Sequence, residues 1–279
     1  MPRRRAKSLA SHCAISAVLL LLLLFVGVAI CHIPTGRDSV REIGSSISDN
    51  LQYGIPGPAD IIIERKGYAM GYSRRWKQAA WVSYRLTEAE VRSKSCRRTN
   101  LFVKDPAIQS DYSLPQDYAR SGYDRGHLAP AADMHWSDKA MAESFYMSNM
   151  SPQKPRFNRG IWSTLEQWVR DTAVAETNIV VVTGPVVSTN DLANTIGKRH
   201  VVVPGYFYKV IYDETPPVKM IAFLLPNEGS PLAISNFVVT VDSVEIATGL
   251  DFFSALPDET EDALESSVSV VDWKYLDRH

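Results

Sequence analysis

Residues 123–134, YDRGHLAPAADM, carry the densest chemistry in the chain and decide how the rest is read. Four consecutive positions supply a carboxylate, a guanidinium, a glycine and an imidazole: Asp124, Arg125, Gly126 and His127. A Ser-Gly turn precedes them and an Ala-Pro turn follows. Histidine titrates near neutrality, so His127 is suited to take a proton from water attacking a phosphorus or carbonyl centre. A neighbouring arginine places a fixed fork of donors against phosphate oxygens. The bland alternative is a turn whose histidine caps a backbone carbonyl.

The second informative stretch is residues 148–166, SNMSPQKPRFNRGIWSTLE. Asn158 stands ahead of a helical pattern and Glu166 lies eight residues on. Along a regular helix that separation rises about 12 Å, too far for both side chains to bind one ion directly. Either one ligand works through water or Asn158 precedes the helix. An amide oxygen as the only direct protein ligand suits a hard, well-hydrated ion such as magnesium.

Outward from these motifs the pattern is one of strands interrupted by single helices. Residues 79–86 alternate loosely, residues 178–182 form an apolar run closed by Thr183, Gly184 and Pro185, and strand-like segments follow at 201–203, 207–212 and 219–225. Helical spacing appears at 138–147 with Ser137 as N-cap, at 162–173, and at 243–248 with Gly249 as a stop. Without regular strand-helix alternation, this predicts an α+β domain built on a mainly antiparallel sheet flanked by helices. There is no repeat and no phosphate-binding glycine loop.

Taken together, YDRGHLAPAADM, FYMSNMSPQ at 145–153, FNRGIWSTLE at 157–166 and VVTGP at 181–185 resemble the DNA/RNA non-specific endonuclease family, the ββα-metal or His-Me finger nucleases. The resemblance spans about residues 61–256. It implies a strand bearing His127 opposite a helix presenting Asn158. The roles it implies are His127 as general base, Asn158 as direct magnesium ligand with manganese as a substitute, and Glu166 as the holder of metal-bound water. Arg125 and Arg98, chosen over Arg97, would contact the substrate phosphate. DNA and RNA would be the substrates, and a homodimer is compatible with the family. His135 has no family role and is expected at the surface or beside the site.

Composition fits this reading once charge is placed along the chain. With 45% apolar residues the 279-residue chain can bury a core, which excludes a mainly disordered protein. The net charge of −1 argues against a polyanion partner only as an average. Residues 64–104 carry eleven bases against three acids, and residues 241–279 two bases against ten acids. Arg74, Arg75, Lys77, Arg97 and Arg98 are the candidates for a nucleic-acid groove. Trp76 and Trp81 are expected in the core, and the acidic run 258–265 as a solvated helix or tail. The three cysteines, Cys13, Cys31 and Cys96, supply neither an internal disulfide framework nor a zinc site.

At the N-terminus, Arg3, Arg4, Arg5 and Lys7 precede the apolar run 14–30, whose seventeen residues rise about 25 Å as a helix. This reads as a transmembrane signal anchor or a signal peptide over 1–33, then a Gly/Ser/Pro-rich linker over 34–60 and a nuclease domain over 61–279. The domain is expected on the non-cytoplasmic side of a membrane: periplasmic or extracellular in a bacterium, at the mitochondrial inner membrane in a eukaryote. Two rivals remain at this stage. One is a catalytically silent nucleic-acid-binding module on the same fold, and the other a phosphodiesterase acting on lipid.

Overall fold

The computed structural model describes residues 48–274 and residue 276. The proposed anchor at 1–33 and most of the proposed linker lie outside these residues. Among the described residues no helix is long and apolar enough to cross a membrane.

The domain is organised by one sheet. Strands β1 (Ile61–Glu64), β2 (Ala69–Ser73) and β3 (Gln78–Thr87) open the chain, and β4 (Asp124–His127) pairs with β5 (Met150–Gln153) as a separate hairpin. There follow β6 (Asn178–Val186), the small pair β7 (Thr195–Ile196) and β8 (Val201–Val202), then β9 (Tyr206–Asp213), β10 (Lys219–Pro226) and β11 (Val238–Val239). The main sheet runs β1-β2-β3-β6-β9-β10-β11, with every neighbouring pair antiparallel. Among the described residues five α-helices accompany it: α1 (Glu88–Arg92), α2 (Asp138–Ser144), α3 (Ser163–Glu176), α4 (Val241–Thr248) and α5 (Asp258–Glu265). The architecture is α+β with a mainly antiparallel sheet, as the sequence predicts.

Both faces of the sheet are covered, so its central strands read as near-continuous apolar runs. Period-two alternation sends Ile179 and Val181 of β6, Ile211 of β9 and Phe223 of β10 to one face, and Val180, Val182, Val210 and Ala222 to the other. Helix α3 closes the first face with Leu165, Trp168, Val169 and Ala173, all fully buried. Leu165 and Val169 each contribute about 1.5–3 kcal/mol by leaving water. The second face is closed by Val241 and Val244 of α4, by Phe252 and Phe253, and by Leu51.

Several boundaries differ from those expected. Strand β6 continues through Gly184 and Pro185 to Val186, because beyond Thr183 only its β9 side is paired and a missing proline N–H costs nothing on the open side. Helix α2 stops at Ser144 and gives way to a 3₁₀ turn at Met147–Asn149, which reverses the chain into β5. Ser137 caps it as predicted, accepting a hydrogen bond from Ala140 N. Helix α4 starts at Val241 on a Thr240 cap, and Gly249 ends it in the left-handed region at φ 71°. Residues 48–60 pack on the second face: Trp81 Nε1 donates to Gly57 O at 3.1 Å and Ser83 Oγ to Asn50 O at 2.6 Å. Trp81 is core, whereas Trp76 is half-buried.

Candidate active site

The β4–β5 hairpin and the segment entering α3 meet on the first face. His127 ends β4, opposite Met150, so it sits on a strand and not in a capping turn. The chain beyond it is held by Asn149. Its side-chain oxygen accepts from Ala129 N at 2.9 Å, while its Nδ2 donates to Ala129 O and Ser144 O. This bracket explains the SNMSPQ segment, whose Asn149 sequence reasoning left without a role. Gly126 is dictated by packing, since a Cβ there would collide with the Gln153 side chain across the hairpin.

Asn158 is delivered by a different device. Residues Phe157–Trp162 form a π-helical turn broken at Gly160, whose φ −110° and ψ −116° are not helical, and α3 begins only at Ser163. The sequence left two options open, and Asn158 indeed precedes the regular helix. Wide turns of this kind recur at functional sites because they redirect a side chain. Asn158 Nδ2 donates to Asp124 Oδ2 at 2.9 Å, which leaves its carbonyl oxygen as the free acceptor. Arg159 Nε and Nη2 bind the same carboxylate at 2.8 and 2.6 Å. Burial pushes the Asp124 carboxyl up, but these hydrogen bonds outweigh it and hold the group below its ordinary range.

All five residues singled out in the sequence line one groove of about 330 Å³: Arg98, Arg125, His127, Asn158 and Glu166, joined by Arg159 and Ser163. Arg97 does not line it; it borders a separate pocket with Cys96 and His135. Nor do Arg74, Arg75 and Lys77 line it, so of the five basic residues expected at a nucleic-acid groove only Arg98 does, joined here by Arg125 and Arg159. His135 is half-buried, with Nδ1 2.8 Å from Cys96 O, beside the groove and outside it. Cys96 is a buried free thiol.

The aromatic setting of His127 was not foreseen. Its ring meets Phe145 at 4.9 Å and Phe102 at 5.8 Å, both edge-on. The same two rings carry the arginines, Arg98 at 5.0 Å over Phe145 and Arg125 at 4.1 Å over Phe102. Burial, then the charges of Arg98 and Arg125, push His127 down to about 3. The imidazole is therefore neutral at physiological pH, with a lone pair free, while the same burial and charges lower its proton affinity. Its Nε2 is buried without a partner.

Behind Glu166 lies a second unforeseen group. Lys209 on β9 is fully buried on the first face, with no hydrogen-bond partner for Nζ, which sits 4.8 Å from the Trp162 ring centroid. Burial pushes Lys209 down and Glu166 up, and each charge pulls the other back toward ionisation. The signal was legible: Phe207, Lys209 and Ile211 share one face of an alternating strand, and a lysine there needs a partner.

Comparison with known proteins identifies the family. A family model described as DNA/RNA non-specific endonuclease matches residues 46–259. The chain is 35% identical to the human protein named endonuclease G, mitochondrial, over 214 residues covering 72% of each. It is 32% identical to the mitochondrial nuclease of Saccharomyces cerevisiae over 241 residues, 78% of this chain and 73% of that protein. A crystal structure of endonuclease G bound to its inhibitor EndoGI superposes with a TM-score of 0.70 at 34% identity, covering 76% of this chain and 94% of that one. On fold, motifs and relatives alike, this chain is a nuclease and belongs to the DNA/RNA non-specific endonuclease family.

Proposed function

We propose that the groove hydrolyses phosphodiester bonds in DNA and RNA without regard to the sugar, by attack of a water molecule that His127 deprotonates. The observation that carries this reading is the convergence of a neutral imidazole, two arginines, an oriented amide oxygen and a carboxylate on one groove. Arg125 and Arg98 bind the non-bridging phosphate oxygens and stabilise the crowded phosphorus centre, a preorganised donor being worth about 3 kcal/mol. The incoming phosphate also offsets the two guanidinium charges beside His127, so its proton affinity rises when substrate is present. Since water and not the ribose 2′-hydroxyl attacks, both nucleic acids are cut, leaving 5′-phosphorylated ends.

The oxygen donors of Asn158 and Glu166, with no thiolate near them, fit magnesium, with manganese as a substitute. Asn158 would hold the ion directly and Glu166 through its hydration water. When bound, the ion supplies a Lewis acid for a phosphoryl oxygen and for the departing 3′ oxygen. Asp124 acts on this arrangement through Asn158. Asp124→Ala frees the amide to rotate, and the magnesium concentration for half-maximal cleavage is expected to rise by about 10–100-fold. Saturating magnesium should restore much of the rate, whereas an unchanged magnesium dependence would show that Asp124 does not orient the amide.

The mitochondrial names of the human and yeast relatives favour the mitochondrial version of the expected location for this chain. The direct test of the reaction is digestion of supercoiled plasmid and of RNA by the full chain, with magnesium and with EDTA. Both substrates should be cut with magnesium and neither with EDTA; cleavage of one substrate only, or in EDTA, contradicts the reading.

A further inference from the structure

The acidic run 258–265 is helix α5, with Asp258, Glu259 and Asp262 exposed as expected of a solvated helix, but its other face turns inward. Asp242 and Glu245 stand three apart on α4, and Glu261 and Glu265 four apart on α5, so each pair shares a helix face. One carboxylate oxygen from each of Asp242, Glu245 and Glu265 lies within 4.8 Å of the other two. Glu265 is only 5% exposed, and its Oε1 has no hydrogen-bond partner. Glu261 Oε1, on the same face of α5, is likewise buried and without a partner. The ion pairs among the described residues involve none of these acids. Among the described residues the cluster's one donor is Phe252 N, 2.7 Å from Glu245 Oε1.

Apolar packing does not leave these helices free to separate. Val241 and Val244 of α4 are buried in the second-face core and Leu264 of α5 packs against it. The acids are thus pressed together, and a buried carboxylate without a partner is costly. We propose that Asp242, Glu245 and Glu265 bind a calcium ion that ties α4 to α5 on the face of the sheet opposite the groove. The donors are all oxygen, which selects a hard cation. Oxygens bound to one calcium ion at about 2.4 Å lie no more than about 4.8 Å apart, so this convergence is close enough for all three to share an ion. Three converging carboxylates suit calcium better than magnesium, which usually takes one or two protein carboxylates and keeps its water. The site shares no residue with the groove and does not depend on the proposed hydrolysis.

The test is calcium titration of the EDTA-treated full chain, free of nucleic acid, by calorimetry and thermal melting. The wild-type chain and Asn158→Ala should show the same calcium event, with a rise in melting temperature of about 5–10 °C at calcium far above its dissociation constant. Glu265→Gln, which keeps the shape and removes the carboxylate offered to the ion, should weaken that event by about 100-fold or more, since loss of even an outer partner costs about 10–100-fold. Asp242→Asn, at a less buried position, should do so too, with magnesium-dependent cleavage unchanged in both. A calcium event lost with Asn158 and kept in both carboxamide variants would assign the ion to the groove. No calcium event, with Glu265→Gln simply melting higher, would mean that protons alone hold the cluster. Either result overturns the proposal.

Discussion

With His127 replaced by alanine, cleavage of plasmid and RNA falls by roughly 10²–10⁴-fold while nucleic acid is still retained in a filter-binding assay. The separation of the two readouts follows from the geometry. Binding rests on Arg98 and Arg125, whose guanidinium groups are supported by Phe145 and Phe102 and do not need the imidazole. Turnover rests on a nitrogen able to accept a proton, and no other imidazole lines the groove. Undiminished turnover in the variant would remove the base from its role. The same substitution has a thermodynamic signature. His127 is held near pH 3, against 6.5 ordinarily, so between those values the unfolded chain binds a proton that the folded chain does not. The wild-type domain therefore loses stability as pH falls through that window, and His127→Ala loses less. Melting temperatures at pH 7 and pH 5 without metal would show the difference.

The second large effect is at Asn158. Asn158→Ala removes the amide oxygen that Asp124 leaves free, and the rate is expected to fall by about 10²–10³-fold, the loss typical of one preorganised electrostatic contact. Unlike the histidine variant, it should also bind magnesium more weakly, seen by calorimetry without nucleic acid. Asp124 then loses one of its partners and keeps Arg159, so the hairpin should stay folded. An Asn158→Ala enzyme with normal magnesium affinity would place the ion elsewhere in the groove.

Short apolar runs bounded by turn residues were enough to read the α+β class and the central strands β3, β6, β9 and β10, because a strand buried on both faces is apolar almost throughout. The site residues were legible as chemistry, through the short DRGH run and the Asn158–Glu166 spacing. What was not legible has a common physical origin. Phe102 and Phe145 look like ordinary apolar residues, and only folding brings them to either side of His127. The orientation of Asn158 depends on a carboxylate thirty-four positions earlier. The extension of β6 through Pro185 depended on which of its sides was paired. The acidic run 258–265 was readable as a solvated helix, but not the inward turn of Glu265, because charge alone does not say which helix face meets the core.

The break at Gly160 has a consequence for how this segment tolerates change in length. Asn158 is aimed before the break and Glu166 from the first turn of α3 after it. Adding or removing one residue between Ser163 and Glu166 would swing the glutamate by about 100° around the helix axis and carry it off the groove. Side chains on the solvent side there are free to drift, but the number of residues is not: the segment works as a ruler, and its tally outranks its spelling.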